Sequence, residues 1–82
     1  MNDWYVYLLE CSDGSLYCGC TNDIKRRVEE HSNGNGSKYT RSRLPVNLVA
    51  LKSNLSKSEA HKLEYKVKKL NKLKKIIFLQ SI

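Results

Sequence analysis

The run Trp4-Tyr5-Val6-Tyr7-Leu8-Leu9 is apolar or aromatic at every position. That pattern predicts a strand able to be buried on both faces. Ser12-Asp13-Gly14-Ser15 reads as a turn and Leu16 to Cys20 as the returning strand. Thr21-Asn22-Asp23 is a good helix start, with an acid near the positive end of the dipole. From there to about His31 the period becomes helical: Ile24, Arg27, Val28 and His31 share one stripe, and Lys25, Arg26, Glu29 and Glu30 face away. Ser32 to Ser37 is a flexible connection, and Lys38-Tyr39-Thr40-Arg41 a short helical turn in a segment that Pro45 ends. Val46 to Leu51 reads as a third strand. Ser56-x-x-Glu59 is a capping box, opening a helix whose Ala60, Leu63, Val67 and Leu70 follow helical spacing. Asn71 restarts the helix as an N-cap, and the second piece runs toward Leu79. This order predicts an α+β fold, with helices packed on a small antiparallel sheet.

The hairpin turn decides which side chains meet. A two-residue loop at Asp13-Gly14 pairs Ser12 with Ser15 and puts Tyr7 and Tyr17 on opposite faces. A three-residue loop, Ser12-Asp13-Gly14, with Gly14 at positive φ in a bulge, pairs Cys11 with Ser15. Tyr7, Tyr17 and Gly19 then share one face. The bulged loop is the expected one.

At 82 residues the chain predicts one domain, residues 1–82, with a modest core. Its net charge is +7, and the excess is concentrated: eight lysines against two acids lie between Lys57 and Lys75. Such a surface suits a polyanion, of which nucleic acid is the commonest. The simpler reading is a soluble lysine-rich helix. Three cysteines, Cys11, Cys18 and Cys20, are too few and too odd in number for a disulfide framework. Even with His31 as a fourth ligand they match no zinc spacing. Reduced, packed thiols and a cytoplasmic location are the expectation. No signal peptide is visible, and Ile76-Ile77-Phe78-Leu79 is too short to span a bilayer, so no membrane partner is expected.

Five polar side chains fall where they can do chemistry. Arg27 and His31 point toward the body of the domain, where charge is costly without a partner or a task. Glu64 lies within the stripe of Ala60, Leu63 and Val67. A carboxylate there is paired with a base, bound to metal or at a solvated edge. The simplest structural role for Arg27 and Glu64 is a salt bridge to each other. His31 could be a helix-end histidine bonded to backbone, and Tyr7 and Tyr17 core tyrosines with satisfied hydroxyls. Arg27 could instead clamp a phosphate. His61 and Tyr65 fall off the apolar stripe and receive no role.

Taken in order, Tyr5-Val6-Tyr7, Tyr17-Cys18-Gly19, the stretch Asn22 to Arg27 with His31, Gly36 to Arg41, and Ser58-Glu59-Ala60 leading to Glu64 resemble the GIY-YIG nuclease domain, in its short stand-alone branch. The likeness runs from about Trp4 to Leu70. It departs from the pattern at Tyr5, where the first tripeptide has glycine, and at Cys18, where the second has isoleucine. An asparagine that follows the glutamate in some larger members has no clear counterpart.

The resemblance implies a three-stranded sheet flanked by helices, and an endonuclease that hydrolyses phosphodiester bonds with one Mg²⁺ or Mn²⁺ ion. It further implies Tyr7, Tyr17, Arg27, His31 and Glu64 as catalytic residues, with Glu64 the metal ligand. One carboxylate is few, so metal is expected to bind weakly without substrate. Tyr7 is the candidate general base, provided that a nearby cation favours its phenolate, and Tyr17 is the alternate base or positions water and phosphate. Arg27 stabilises transition-state charge, and His31 bonds the phosphate or assists the leaving oxygen.

Lys38, Arg41, Lys62, Lys66 and Lys69 are the expected nucleic-acid contacts. DNA is placed ahead of RNA, in a repair or recombination setting. No sequence-reading motif is present, so any sequence preference must come from nucleic-acid shape or a protein partner. Two other classes fit the charge: a non-catalytic nucleic-acid-binding module, and an interaction protein whose basic helix docks an acidic partner. Neither gives Glu64 a use beside phosphate.

Overall fold

The computed structural model describes residues 2–81. Strands β1 (Trp4–Glu10) and β2 (Leu16–Thr21) form the hairpin, followed by α1 (Ile24–Ser32), the single turn α2 (Lys38–Arg41), β3 (Asn47–Leu55), α3 (Lys57–Lys68) and α4 (Lys72–Ser81). The sheet is antiparallel with β1 in the centre, in the order β2-β1-β3. A central strand covered on both sides needs apolar residues at consecutive positions, and Val6, Tyr7, Leu8 and Leu9 are all buried.

Alternation along β1 creates two cores. Val6 and Leu8 face α3 and α4, packing with Cys18 and Ala50 against Ala60, Val67 and Leu79. Tyr7 and Leu9 face the other way, with Cys11 and Val46, and are flanked by Tyr17, Ile24 and Val28 from the α1 side. Cys18 and Cys20 therefore sit on the α3 face of β2, and Tyr17 and Gly19 on the α1 face. All three thiols are free.

The hairpin takes the bulged loop. Cys11 N–H donates to Ser15 O at 2.9 Å and Gly14 N–H to Cys11 O at 3.0 Å, with Gly14 at φ +82°. Asp13 tightens the turn by accepting from Ser15 N and Oγ and from Arg43 Nε. Those bonds hold its carboxyl below the usual range.

β3 runs four residues past the apolar stretch that predicts it. Its polar second half, Lys52 to Leu55, pairs with the start of β1, and Asn54 takes a positive φ of 64° beside a register shift. An edge strand needs ladder bonds on one side only, so it carries no strict apolar signature. A second shift between Leu8 and Leu9 breaks the alternation of Leu48-Val49-Ala50-Leu51, leaving Leu48 and Leu51 exposed.

The helix ends follow their signals. Asp23 accepts from Arg26 N, and Asn71 Oδ1 from Lys74 N. Ser56 and Glu59 form the complete capping box of α3. Ser56→Ala removes one of these two reciprocal bonds and should lower the unfolding free energy by about 1 kcal/mol. Urea denaturation checks it, with Ser58→Ala on the exposed first turn of the same helix as the control that leaves stability unchanged.

Candidate active site

Tyr7 and Gly19 are directly paired across the hairpin, and Tyr17 lies on the same face. A Cβ at Gly19 would stand 2.6 Å from Tyr7 Cζ, so only glycine admits the tyrosine ring at this pairing. The ring is 1% exposed, and its hydroxyl is 2.9 Å from His31 Nε2. His31 is held from its other side by Thr40 Oγ1, 2.8 Å from Nδ1, and Thr40 is held in turn by Ser37 Oγ at 2.9 Å. His31 and Thr40 are fully buried. The short helix α2 thus fixes the histidine ring, and both imidazole nitrogens are engaged. Neutral imidazole suits this chain, because it donates at one nitrogen and accepts at the other. Burial, reinforced by the nearby Arg27 charge, pushes the His31 pKa below its ordinary value.

Arg27 reaches the same cluster from α1. Its guanidinium donates to Glu30 Oε1 at 3.1 Å and to Gly36 O at 3.0 Å, and it lies beside Tyr7. Glu30 is half-buried and turned toward Arg27, whereas the helical stripe has it facing away. A side chain on the flank of a stripe bends inward when a cation awaits it. Burial raises the Tyr7 pKa well above the ordinary phenol value, and Arg27 offsets only part of that rise. Arg27 thus favours the phenolate, as expected of a nearby cation, but by itself does not outweigh burial in the resting site.

Glu64 approaches from the other face of the sheet. Its side chain, 19% exposed, accepts from Cys20 Sγ (3.5 Å) at Oε1, and Oε2 lies 3.3 Å from Lys68 Nζ. Since Arg27 takes Glu30 and Glu64 takes Lys68, the Arg27–Glu64 salt bridge does not form. The two groups stand on opposite faces of β2, which is an edge strand. Burial is the main cause that lifts the Cys20 thiol to about 11 and the Cys18 thiol to about 12, and the Glu64 charge adds to both. Burial works to lower the Lys68 pKa, but the Glu64 carboxylate outweighs it and holds the ammonium above its ordinary value.

An open cleft runs along this edge, lined by Leu16, Tyr17, Cys18, Tyr39, Lys68 and Lys75. Tyr17 forms part of its wall, its ring tilted against His31 with centroids 4.9 Å apart and against Tyr39 at 6.1 Å. The cleft meets the Tyr7–His31 pair through Tyr17 and the Glu64 carboxylate through Lys68. Among the described residues no group of three or more His, Cys, Asp or Glu side chains converges as a ready-made metal cage.

The expected nucleic-acid contacts divide. Lys38 and Arg41 are exposed on α2, beside the cleft residue Tyr39. Lys62 and Lys66 line a separate depression with Glu59 and Leu63, and Lys69 lies over the exposed Tyr65 ring at 4.3 Å. The lysines in the cleft are Lys68 and Lys75, which belong to the basic block from Lys57 to Lys75 but not to the five expected contacts. The legible signal for Lys68 is its position four residues after Glu64. Glu30 carries the same kind of signal, three residues after Arg27, whereas Thr40 and Ser37 have none, because their roles depend on how α2 folds back on α1. His61 and Tyr65 are exposed, as their places off the stripe predict.

A family model of the GIY-YIG catalytic domain matches residues 3–76. A UPF0213 protein of Halobacterium salinarum is 52% identical over 71 residues, covering 87% of this chain and 92% of that one. A UPF0213 protein of Staphylococcus aureus is 47% identical over 81 residues, 99% of each chain. Two solution NMR structures match as folds. The UPF0213 protein BH0048 of Bacillus halodurans has TM-score 0.58 at 50% identity, covering 98% of this chain and 84% of that one. The protein EF2693 of E. faecalis has TM-score 0.65 at 38% identity, covering 99% and 90%. These likenesses place the chain in the GIY-YIG nuclease superfamily, among its short UPF0213 members.

Proposed function

We propose that this protein is a divalent-metal-dependent endonuclease that hydrolyses phosphodiester bonds in nucleic acid, DNA ahead of RNA, with little sequence preference of its own. The observation that carries the reading is the pairing of two chemistries across β2: the hydrogen-bonded Tyr7–His31 pair with Arg27 on one face and the Glu64 carboxylate on the other, with their neighbours Tyr17 and Lys68 lining one cleft. A purely binding surface has no use for a buried tyrosine–histidine pair or for a carboxylate among lysines.

Glu64 is a hard oxygen donor, only partly exposed, with its other contacts a thiol and an exposed ammonium that can yield. It fits a Mg²⁺ or Mn²⁺ ion, one carboxylate and substrate phosphate being a common ligand set for Mg²⁺. A metal held there supplies Lewis-acid stabilisation of charge on a phosphate oxygen. The chain's own groups do the rest. Because burial disfavours a free phenolate, Tyr7 takes a proton from the attacking water as it passes its own to the Nε2 of neutral His31. Thr40 keeps the other imidazole proton on Nδ1. His31, with both nitrogens engaged, acts on Tyr7 instead of on the phosphate. Tyr17, in the cleft wall, orients water and phosphate. Arg27, held at a fixed angle by Gly36 O, stabilises the charge that develops on the phosphorus oxygens.

Labelled single-stranded, duplex and branched DNA, and RNA, incubated with Mg²⁺ or Mn²⁺, test the reading. The wild type should cut, and Tyr7→Phe and Glu64→Ala should each lose activity by a factor on the order of a hundred or more. Wild-type binding without cutting, or equal cutting by both variants, overturns the reading.

Substrate binding should weaken steeply with salt, because lysines near phosphate release counterions. Filter binding between about 50 and 200 mM KCl measures it. Lys68→Ala should reduce the slope of log affinity against log salt by about one, and Lys62→Ala, on the other flank of α3, by less.

The neutral state of His31 has a consequence for folding. Between its lowered native pKa and the ordinary value of 6.5, the unfolded chain binds more protons at this site than the native one. Stability from this residue is therefore complete above about 6.5 and is lost as pH falls toward the native value. Urea midpoints at about pH 7.5 and 5 should show the drop in wild type and a smaller one in His31→Gln.

A further inference from the structure

Lys68 enters above as a cleft wall, as a lysine near phosphate and as the partner of Glu64. Its ammonium lies 3.3 Å from Glu64 Oε2, at the carboxylate that the nuclease reading gives to the metal. The same side chain borders the cleft beside Tyr17. Lys68 is more than half exposed, so the pair is held loosely, by one flexible stem on the surface of a helix. Two cations on one carboxylate repel each other, so a metal arriving at Glu64 weakens the hold of the lysine and favours its release.

We infer that Lys68 is a built-in counter-ion that occupies the metal-binding carboxylate in the resting protein and turns to the scissile phosphate beside Tyr17 when metal binds. It is a positioning and phosphate-binding residue that couples the two ligands. Without substrate the ammonium pairs, among the described residues, with Glu64 and resists the metal. With a phosphate in the cleft it has a second anion to turn to, and the metal enters more easily. The inference rests on the assignment of metal to Glu64.

The test is Mn²⁺ binding to the 82-residue chain, read by electron paramagnetic resonance of free Mn²⁺ and by paramagnetic broadening of amide signals around Glu64, with and without an uncleavable phosphorothioate oligonucleotide. Lys68→Met keeps the stem and removes the charge, and it should tighten substrate-free Mn²⁺ binding on the order of tenfold. Lys68→Arg grips a carboxylate in two-point fashion and should weaken it. The oligonucleotide should tighten Mn²⁺ binding in wild type and do so less in Lys68→Met. Circular dichroism and amide spectra confirm that each variant is folded, and the opposite directions expected for Met and Arg are not produced by a general loosening of α3. Binding that Glu64→Gln abolishes but that neither Lys68 variant moves overturns the counter-ion and leaves the metal assignment standing. Binding that Glu64→Gln does not change, or no binding in wild type and Lys68→Met alike, overturns both.

Discussion

The register of one hairpin governs this site. Because side chains alternate across a strand, the three-residue loop Ser12-Asp13-Gly14 sends Tyr7, Tyr17 and Gly19 to the α1 face and Cys18 and Cys20 to the α3 face. A slip of one residue reverses every one of these. Tyr17 would then lie under α3, Cys18 would stand opposite His31, and the space that Gly19 leaves for the Tyr7 ring would be lost. The turn is accordingly fastened from several directions: by backbone bonds across Cys11, by Gly14 at positive φ, and by Asp13 tied to Ser15 and to Arg43 from the far side of α2. Arg43 also stacks over Tyr39, which lines the cleft. The turn and the far wall of the cleft are thereby linked through one guanidinium.

The two faces of β2 use electrostatics differently. On the α1 face the tyrosine and histidine are fully enclosed, and enclosure favours the neutral form of each. A neutral pair in hydrogen-bond contact can exchange a proton with little reorganisation around it, since Thr40 and Ser37 already fix the imidazole. On the α3 face the charges remain formal, partly solvated and exchangeable: Glu64 with Lys68, and the Cys20 thiol as a weak donor. The two faces thus differ in solvent access: the tyrosine–histidine pair is enclosed in the resting site, and the Glu64–Lys68 pair is partly open to water. The edge position of β2 makes this division possible, because only a single strand separates the two environments.

Most of the fold was legible because it is written in local signals. The doubly buried strand, the bulged turn, the capping box at Ser56 and Glu59 and the restart at Asn71 are each decided by a few neighbouring residues. The five candidate residues were legible for a different reason: their order resembles a family pattern. What could not be read was which charge meets which. Arg27 has acids within reach on α1 and α3, and the choice of Glu30 over Glu64 depends on the edge of β2 standing between the two helices. The support of His31 by Thr40 depends on a loop, Ser32 to Ser37, whose path no periodic pattern encodes. The polar half of β3 was silent because an edge strand is specified by its partner's backbone.

The lysines show the same limit and carry the argument about function furthest. Composition alone makes Lys57 to Lys75 one cationic block, but a helix distributes such a block around its circumference. Lys62 and Lys66 go to one flank, Lys69 lies over Tyr65, and Lys68 joins Lys75 in the cleft. A surface meant only to hold phosphate would leave that cleft flank uniformly basic. Here an acid stands behind it, largely shielded from water and neutralised by the cleft lysine one turn on. That acid weakens anion binding unless another cation offsets it. A site that tolerates this penalty is better explained by chemistry on the bound phosphate than by its retention. The combination of Glu64 with Lys68, more than the total charge of the chain, is therefore the feature that bears on the choice between the proposed phosphodiesterase and a basic binding module.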